Sequence, residues 1–179
     1  MSAASEEPVP PTVLATERLR LRHFGPDDAA FILDLLNQPS FIRNIGDRGV
    51  RTLDDARRYL ANGPMASYER HGYGLYAVEL KGTGEPAGMC GLVRRDYLED
   101  ADIGFAFLPQ FWGRGYAVES AAAVMAHGLE SLGLRRILGI VSPDNAGSVR
   151  VLVKLGLQFQ RMIRAPGDAS DIALYSTQP

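Results

Sequence analysis

Leu108-Pro109-Gln110-Phe111-Trp112-Gly113-Arg114-Gly115-Tyr116-Ala117 joins a strand-like run, Ala101 to Leu108, to a helical pattern. The apolar face of that helix is Val118, Ala121, Ala122, Met125 and Leu129, and Gly133 is expected to close it. Strand, glycine turn and helix in this order build an anion cradle. Glycines let the backbone aim its N–H groups at one point, and the helix start adds unpaired N–H groups and a partial positive charge. Ordinary turns also carry Gly-x-Gly, so the loop alone names no ligand. The stretch lacks the G-x-x-x-x-G-K-[ST] of a Walker loop and the G-x-G-x-x-G of a dinucleotide-binding turn.

Outward from the loop, the chain reads as a mixed α/β domain. Arg18 to Arg22 alternates as a half-exposed strand. Pro26-Asp27-Asp28 opens a helix that Pro39 should stop, and Phe41 to Val50 reads as a loop. Thr52-Leu53-Asp54-Asp55 resembles a capping box and starts a helix reaching about Tyr68. Leu75 to Leu80 and Pro86 to Arg94 form a hairpin around Lys81-Gly82-Thr83-Gly84. Arg136 to Val141 is a buried strand, Asn145 to Leu155 a helix, and Phe159 to Arg164 and Ile172 to Tyr175 are closing strands.

Composition narrows the function classes. The 179 residues are 46% hydrophobic and 22% charged, which suits one compact domain, expected over 13–179 behind a disordered tail, 1–12. A net charge of −2 argues against a nucleic-acid footprint. No apolar stretch is long enough to span a membrane, and the first residues lack a signal peptide's pattern. The single cysteine, Cys90, lies in an apolar run and reads as a buried strand thiol. One cysteine supports neither an internal disulfide nor a cysteine-based metal site, so a cytoplasmic location and no metal are expected.

Four segments in order along the chain give it a resemblance. Trp112-Gly113-Arg114-Gly115-Tyr116-Ala117, with Glu119 following, resembles the diphosphate loop of the GNAT acetyltransferases, in the form found in the RimJ/RimL branch. Its Trp112 departs from the family's usual Gln or Arg. Asp102-Ile103-Gly104-Phe105-Ala106-Phe107 resembles the branch's fourth strand, and Thr16 to Arg22 its opening strand. Asn145-Ala146-Gly147-Ser148 through Lys154-Leu155-Gly156-Leu157 resembles its Asn-x-x-Ser…Lys-Leu-Gly-Phe segment.

The resemblance implies a central, mostly antiparallel mixed sheet of about six to seven strands, splayed between strands four and five, with about four flanking helices. It implies acetyl-CoA as co-substrate and direct attack of a primary amine on the thioester. The acceptor would be a protein N-terminus or a small-molecule amine, and the chain a monomer or homodimer. Cofactor contacts would come from Phe105, Ala106, Phe107, Leu108, Trp112, Gly113, Arg114, Gly115, Tyr116, Ala117, Asn145 and Ser148, with Phe107 and Leu108 holding the pantetheine arm through backbone groups. The general base would be Asp102, Glu99 or water. Leu152 stands where many relatives carry an acidic Tyr, which leaves Ser148 to serve the departing thiolate. Asn44, Asp47, Arg48, Tyr73 and Tyr97 are expected near the acceptor. The competing reading is a CoA-binding sensor or structural module without turnover.

Overall fold

A computed structural model describes residues 10–178. The disordered tail expected over residues 1–12 therefore lies largely outside the described residues, although Thr12 already belongs to a strand.

The described residues form one eight-stranded sheet, β1 (Thr12–Ala15), β2 (Leu19–Arg22), β3 (Leu75–Leu80), β4 (Pro86–Val93), β5 (Asp102–Phe107), β6 (Leu138–Val141), β7 (Gln158–Ile163) and β8 (Ile172–Ser176). Their spatial order is β1-β2-β3-β4-β5-β6-β8-β7. The sheet is thus slightly larger than the expected six to seven strands, because the short β1 pairs with β2. Every neighbouring pair is antiparallel except β5 and β6. Those two run parallel and meet only at Asp102 and Leu138, so the sheet opens from that point toward Phe107 and Val141. This is the expected splay between the fourth and fifth of the strands read from sequence.

The helices are α1 (Ala29–Leu36), α2 (Pro39–Asn44), α3 (Leu53–Leu60), α4 (Ala66–His71), α5 (Tyr116–Glu130) and α6 (Ala146–Lys154). Pro39 does not close a helix leading into a loop; it begins α2, where its missing N–H costs nothing. Phe41 to Asn44 are consequently helical. Thr52 makes the anticipated capping box: its Oγ1 accepts from Asp55 N–H at 3.0 Å, and Asp55 Oδ2 accepts from Thr52 N–H at 3.1 Å. A π turn at Ala61–Met65, around Pro64, links α3 to α4 in one continuous helix. Proline supplies no N–H to the helical ladder, and the wider turn absorbs the gap.

Burial corrects one further expectation. The β2 strand is not half-exposed throughout, since Arg22 is buried and its guanidinium donates to both oxygens of Asp28 at 2.8 Å and to Glu79. Cys90 is fully buried in β4, and burial pushes its thiol up to about 12. Two helices position the site. The α5 helix packs on β4 and β5, and α6 on β6. There Leu152 fills the space over Gly139, where an added Cβ would come within 2.9 Å of its side chain.

Candidate active site

The backbone of β5 prepares one edge of the splay. Leu108 N–H donates to Ala87 O at 3.0 Å on the β4 side, and Leu138 N–H donates to Ala101 O at 2.9 Å on the β6 side. Backbone groups alternate sides along an antiparallel strand, so those of Phe105 and Phe107 face the gap. Phe107 O is taken by the Trp112 indole, which donates to it at 2.9 Å. Phe105 N–H, Phe105 O and Phe107 N–H are left toward the opening. Leu108 does not reach it: its N–H is spent on β4 and its side chain is buried elsewhere.

The loop then turns at two left-handed glycines, Gly113 (φ 73°) and Gly115 (φ 81°). Residues with a Cβ pay about 1–2 kcal/mol in that region. Gly115 is the N-cap of α5, and no side chain caps the helix there. The first N–H groups of α5 therefore point outward without an internal partner. Trp112, 54% exposed, ties this loop to the end of β5 through its indole. That contact accounts for tryptophan in the loop's first position.

Across the gap, α6 begins differently. Asn145 Oδ1 accepts from Ser148 N–H at 3.2 Å, a side-chain cap. The cap fixes the amide's orientation, so Nδ2 donates to Ser148 Oγ at 3.0 Å. The Ser148 hydroxyl accepts that bond and keeps its own proton to donate.

These elements enclose a cavity of about 600 Å³. Phe105, Ala106 and Phe107 line it, as do Trp112, Gly113, Gly115, Tyr116 and Ala117 from the loop and Asn145 and Ser148 from α6. Most of the expected cofactor contacts thus converge. Arg114 does not line it; its guanidinium lies 5.9 Å from the Phe111 ring centroid.

Sequence reasoning anticipated one wall only in part, through Asn44. Gln38, Ser40, Phe41, Arg43 and Ile45, from α2 and its flanks, line the cavity together with the expected Asn44. It also missed Arg150, Val151 and Lys154. A helical-face count from Gly147 and Ser148 reaches Val151 and Lys154 and would have found them. The lining carries Arg43, Arg150 and Lys154 and, among the described residues, no acid. In a chain of net charge −2, the cavity is locally cationic.

The expected catalytic carboxylates lie elsewhere. Asp102 is 1% exposed and accepts from Arg95 Nε at 2.8 Å. Burial pushes its carboxyl above the usual range, with the Arg95 guanidinium opposing. It stands three residues, about 10 Å of strand, from Phe105. Glu99 is exposed and pairs with Arg136 at 2.9 Å, and Asp100 pairs with the same arginine at 2.6 Å. Neither Asp102 nor Glu99 lines the cavity. Of the expected acceptor residues besides Asn44, Asp47 pairs with Arg51 at 2.6 Å and Arg48 is exposed. Tyr73 is buried beside His71, and Tyr97 is exposed.

A sheet splayed between parallel strands, with an uncapped glycine-started helix at its open end, defines the architecture of a CoA-dependent acyltransferase. The chain belongs to the GNAT acetyltransferase family: residues 18–158 match the family described as Acetyltransferase (GNAT) domain. The uncharacterized protein YkkB of Bacillus subtilis (strain 168) is 31% identical over 156 residues, 86% of this chain and 89% of its own. The uncharacterized N-acetyltransferase YoaA of the same organism is 29% identical over 153 residues, 85% of this chain and 86% of its own. Among solved structures, an acetyltransferase from Agrobacterium tumefaciens str. C58 superposes with a TM-score of 0.79 at 26% identity, over 98% of each chain. The fold is also that of RimL, a ribosomal L7/L12 α-N-protein acetyltransferase solved with coenzyme A (TM-score 0.79, 19% identity, 93% of this chain and 97% of that one).

Proposed function

We propose that this N-acetyltransferase binds acetyl-CoA in the cavity between α2, α5 and α6 and passes its acetyl group to a primary amine. The supporting observation is the pairing of an uncapped α5 start with a lining that holds three cations and no acid. CoA presents a diphosphate and a further phosphate to such a surface. Loop N–H groups at Gly113 to Ala117 take the diphosphate, because they have no side-chain cap to displace. Arg43, Arg150 and Lys154 supply the remaining countercharge.

The pantetheine arm carries two amides. The backbone groups of Phe105 form a strand edge on which such an amide pairs. Phe107 N–H is also placed to donate toward the thioester oxygen as it becomes anionic. Ser148 then serves the departing thiolate, since Asn145 holds the hydroxyl oxygen and leaves its proton free. Leu152, buried in the core over Gly139, takes no part.

Amine deprotonation falls to water in this reading, because Asp102 and Glu99 are both engaged by arginines outside the cavity. An α-amine, with a pKa near 7.7–8.0, suits this better than a lysine near 10.4. The acceptor is accordingly a protein N-terminus or a small amine of low basicity. The test is calorimetric CoA binding together with thiol release from acetyl-CoA over a panel of amines. Tight CoA binding without turnover on any amine would favour the sensor reading. A pH–rate profile shifted in Asp102→Asn would restore that residue as the base.

A further inference from the structure

The structure joins two motifs that are a hundred residues apart in sequence. Glu119, in the first turn of α5, is held entirely from the β1–β2 corner. Its Oε1 accepts from Thr16 Oγ1 at 2.6 Å and from Arg18 N–H at 2.9 Å, and its Oε2 accepts from Arg18 Nε at 2.7 Å. Arg18 Nη2 lies 2.6 Å from the same oxygen. The guanidinium continues over the Tyr116 ring, 4.6 Å from its centroid. The same Nη2 would stand 3.4 Å from a Cβ placed on Gly115. Arg18 therefore spans from the Glu119 carboxylate to the glycine that starts α5.

This placement settles a conflict of charge. An acid in the first turn favours a helix by complementing its positive end. Here the same end is assigned to a diphosphate, and a bare carboxylate one turn away would repel it. We propose that Arg18 is a positioning residue for acetyl-CoA, neutralising Glu119 beside the Gly115 turn so that the start of α5 accepts the diphosphate. The inference rests on the reading that residues 113–117 bind that diphosphate.

A pair that merely fastens the helix to the sheet is weakened alike from either side. A neutralising pair responds with opposite signs. The experiment is calorimetry of Arg18→Gln, Glu119→Gln and the double variant with CoA, and with pantetheine, which has no diphosphate. Arg18→Gln should weaken CoA about three- to fivefold at low ionic strength, and the loss should shrink as salt rises. Glu119→Gln should leave CoA as tight or tighter, and the double variant should return to near the parent's affinity. Pantetheine should bind all of them alike. Equal weakening of CoA in both single variants, with no recovery in the double, would overturn the proposal, as would a parallel loss of pantetheine.

Arg18→Lys guards against a folding defect, because it keeps the charge and should lie closer to the parent than Arg18→Gln. Gly115→Ala separates the two readings. Unchanged CoA affinity in that variant would mean the loop does not hold the diphosphate. A loss there, with none in Arg18→Gln, would remove only the role given to Arg18.

Discussion

Two helices, α5 and α6, begin on one cavity and treat their free N–H groups in opposite ways. At α6 the N-cap Asn145 takes up Ser148 N–H three residues on, so what faces the cavity is side chains, an amide and a hydroxyl. At α5 the N-cap is a left-handed glycine with no cap, so what faces the cavity is backbone. The difference divides the labour. A capped start cannot also grip an anion with the same N–H groups, and an uncapped glycine start has no side chain with which to move a proton. The first therefore suits chemistry at the thioester and the second suits holding the cofactor's charged end.

The sharpest test of that division is Ser148→Ala. If Ser148 donates to the thiolate, kcat should fall on the order of 10²-fold, while CoA affinity stays within about twofold of the parent. Steady-state kinetics with calorimetry measure both, and a variant that loses affinity but keeps kcat would place α6 with α5 as a binding element. Next in size is Gly115→Ala. A Cβ at φ 81° costs about 1–2 kcal/mol, and relaxing that strain turns the N–H groups away. CoA affinity should drop about tenfold, with kcat at saturating acetyl-CoA preserved. Asn145→Ala is smaller. It removes a cap worth about 1 kcal/mol of stability, readable as a shifted urea midpoint, and frees Ser148 to rotate. If stability is unchanged, Asn145 does not act as a cap.

The same contrast explains what the sequence discloses. The loop at Trp112 to Ala117 and the capping pair Asn145 and Ser148 are local, written within a few residues, and both fall where the motifs place them. The succession of strands along the chain follows from apolar runs and turn residues, except for β1, too short to carry a pattern of its own, while the splay in the sheet comes from the resemblance. Asn44 is expected near the acceptor, but the helical form of the α2 wall is not legible, because Pro39 reads equally well as the end of one helix or the start of the next, and only packing chooses. Asp102 shows the reverse failure. Its place beside a family motif suggests chemistry, but the side chain is claimed by Arg95, seven residues back across a turn, and no local pattern reveals that pairing.

The smallest predicted effect probes how each helix start is anchored. The α6 start is held by its own third residue. The α5 start, lacking a cap, is held by Glu119 reaching Thr16 and Arg18 across the fold. Burial pushes the Glu119 carboxyl up, but the hydrogen bonds from Thr16 and from Arg18's backbone and side chain outweigh it and keep the group below the usual carboxylate range. A carboxyl whose pKa is lower in the folded chain binds its proton more readily in the unfolded one. Its stabilisation is therefore present above the unfolded value, near 4.3, and disappears as the pH falls through the folded value. The parent should exceed Glu119→Gln in stability by no more than about 1 kcal/mol at neutral pH, as befits a partly exposed pair. That gap should close in acid, as thermal melts of the two proteins at pH 7 and below about pH 4 would register. The Asn145→Ala deficit, which involves no ionised group, should persist across the same range. A Glu119 gap that also survived in acid would mean that Thr16 holds α5 by neutral hydrogen bonding, and that the two helix starts differ in the distance to their anchor but not in its charge.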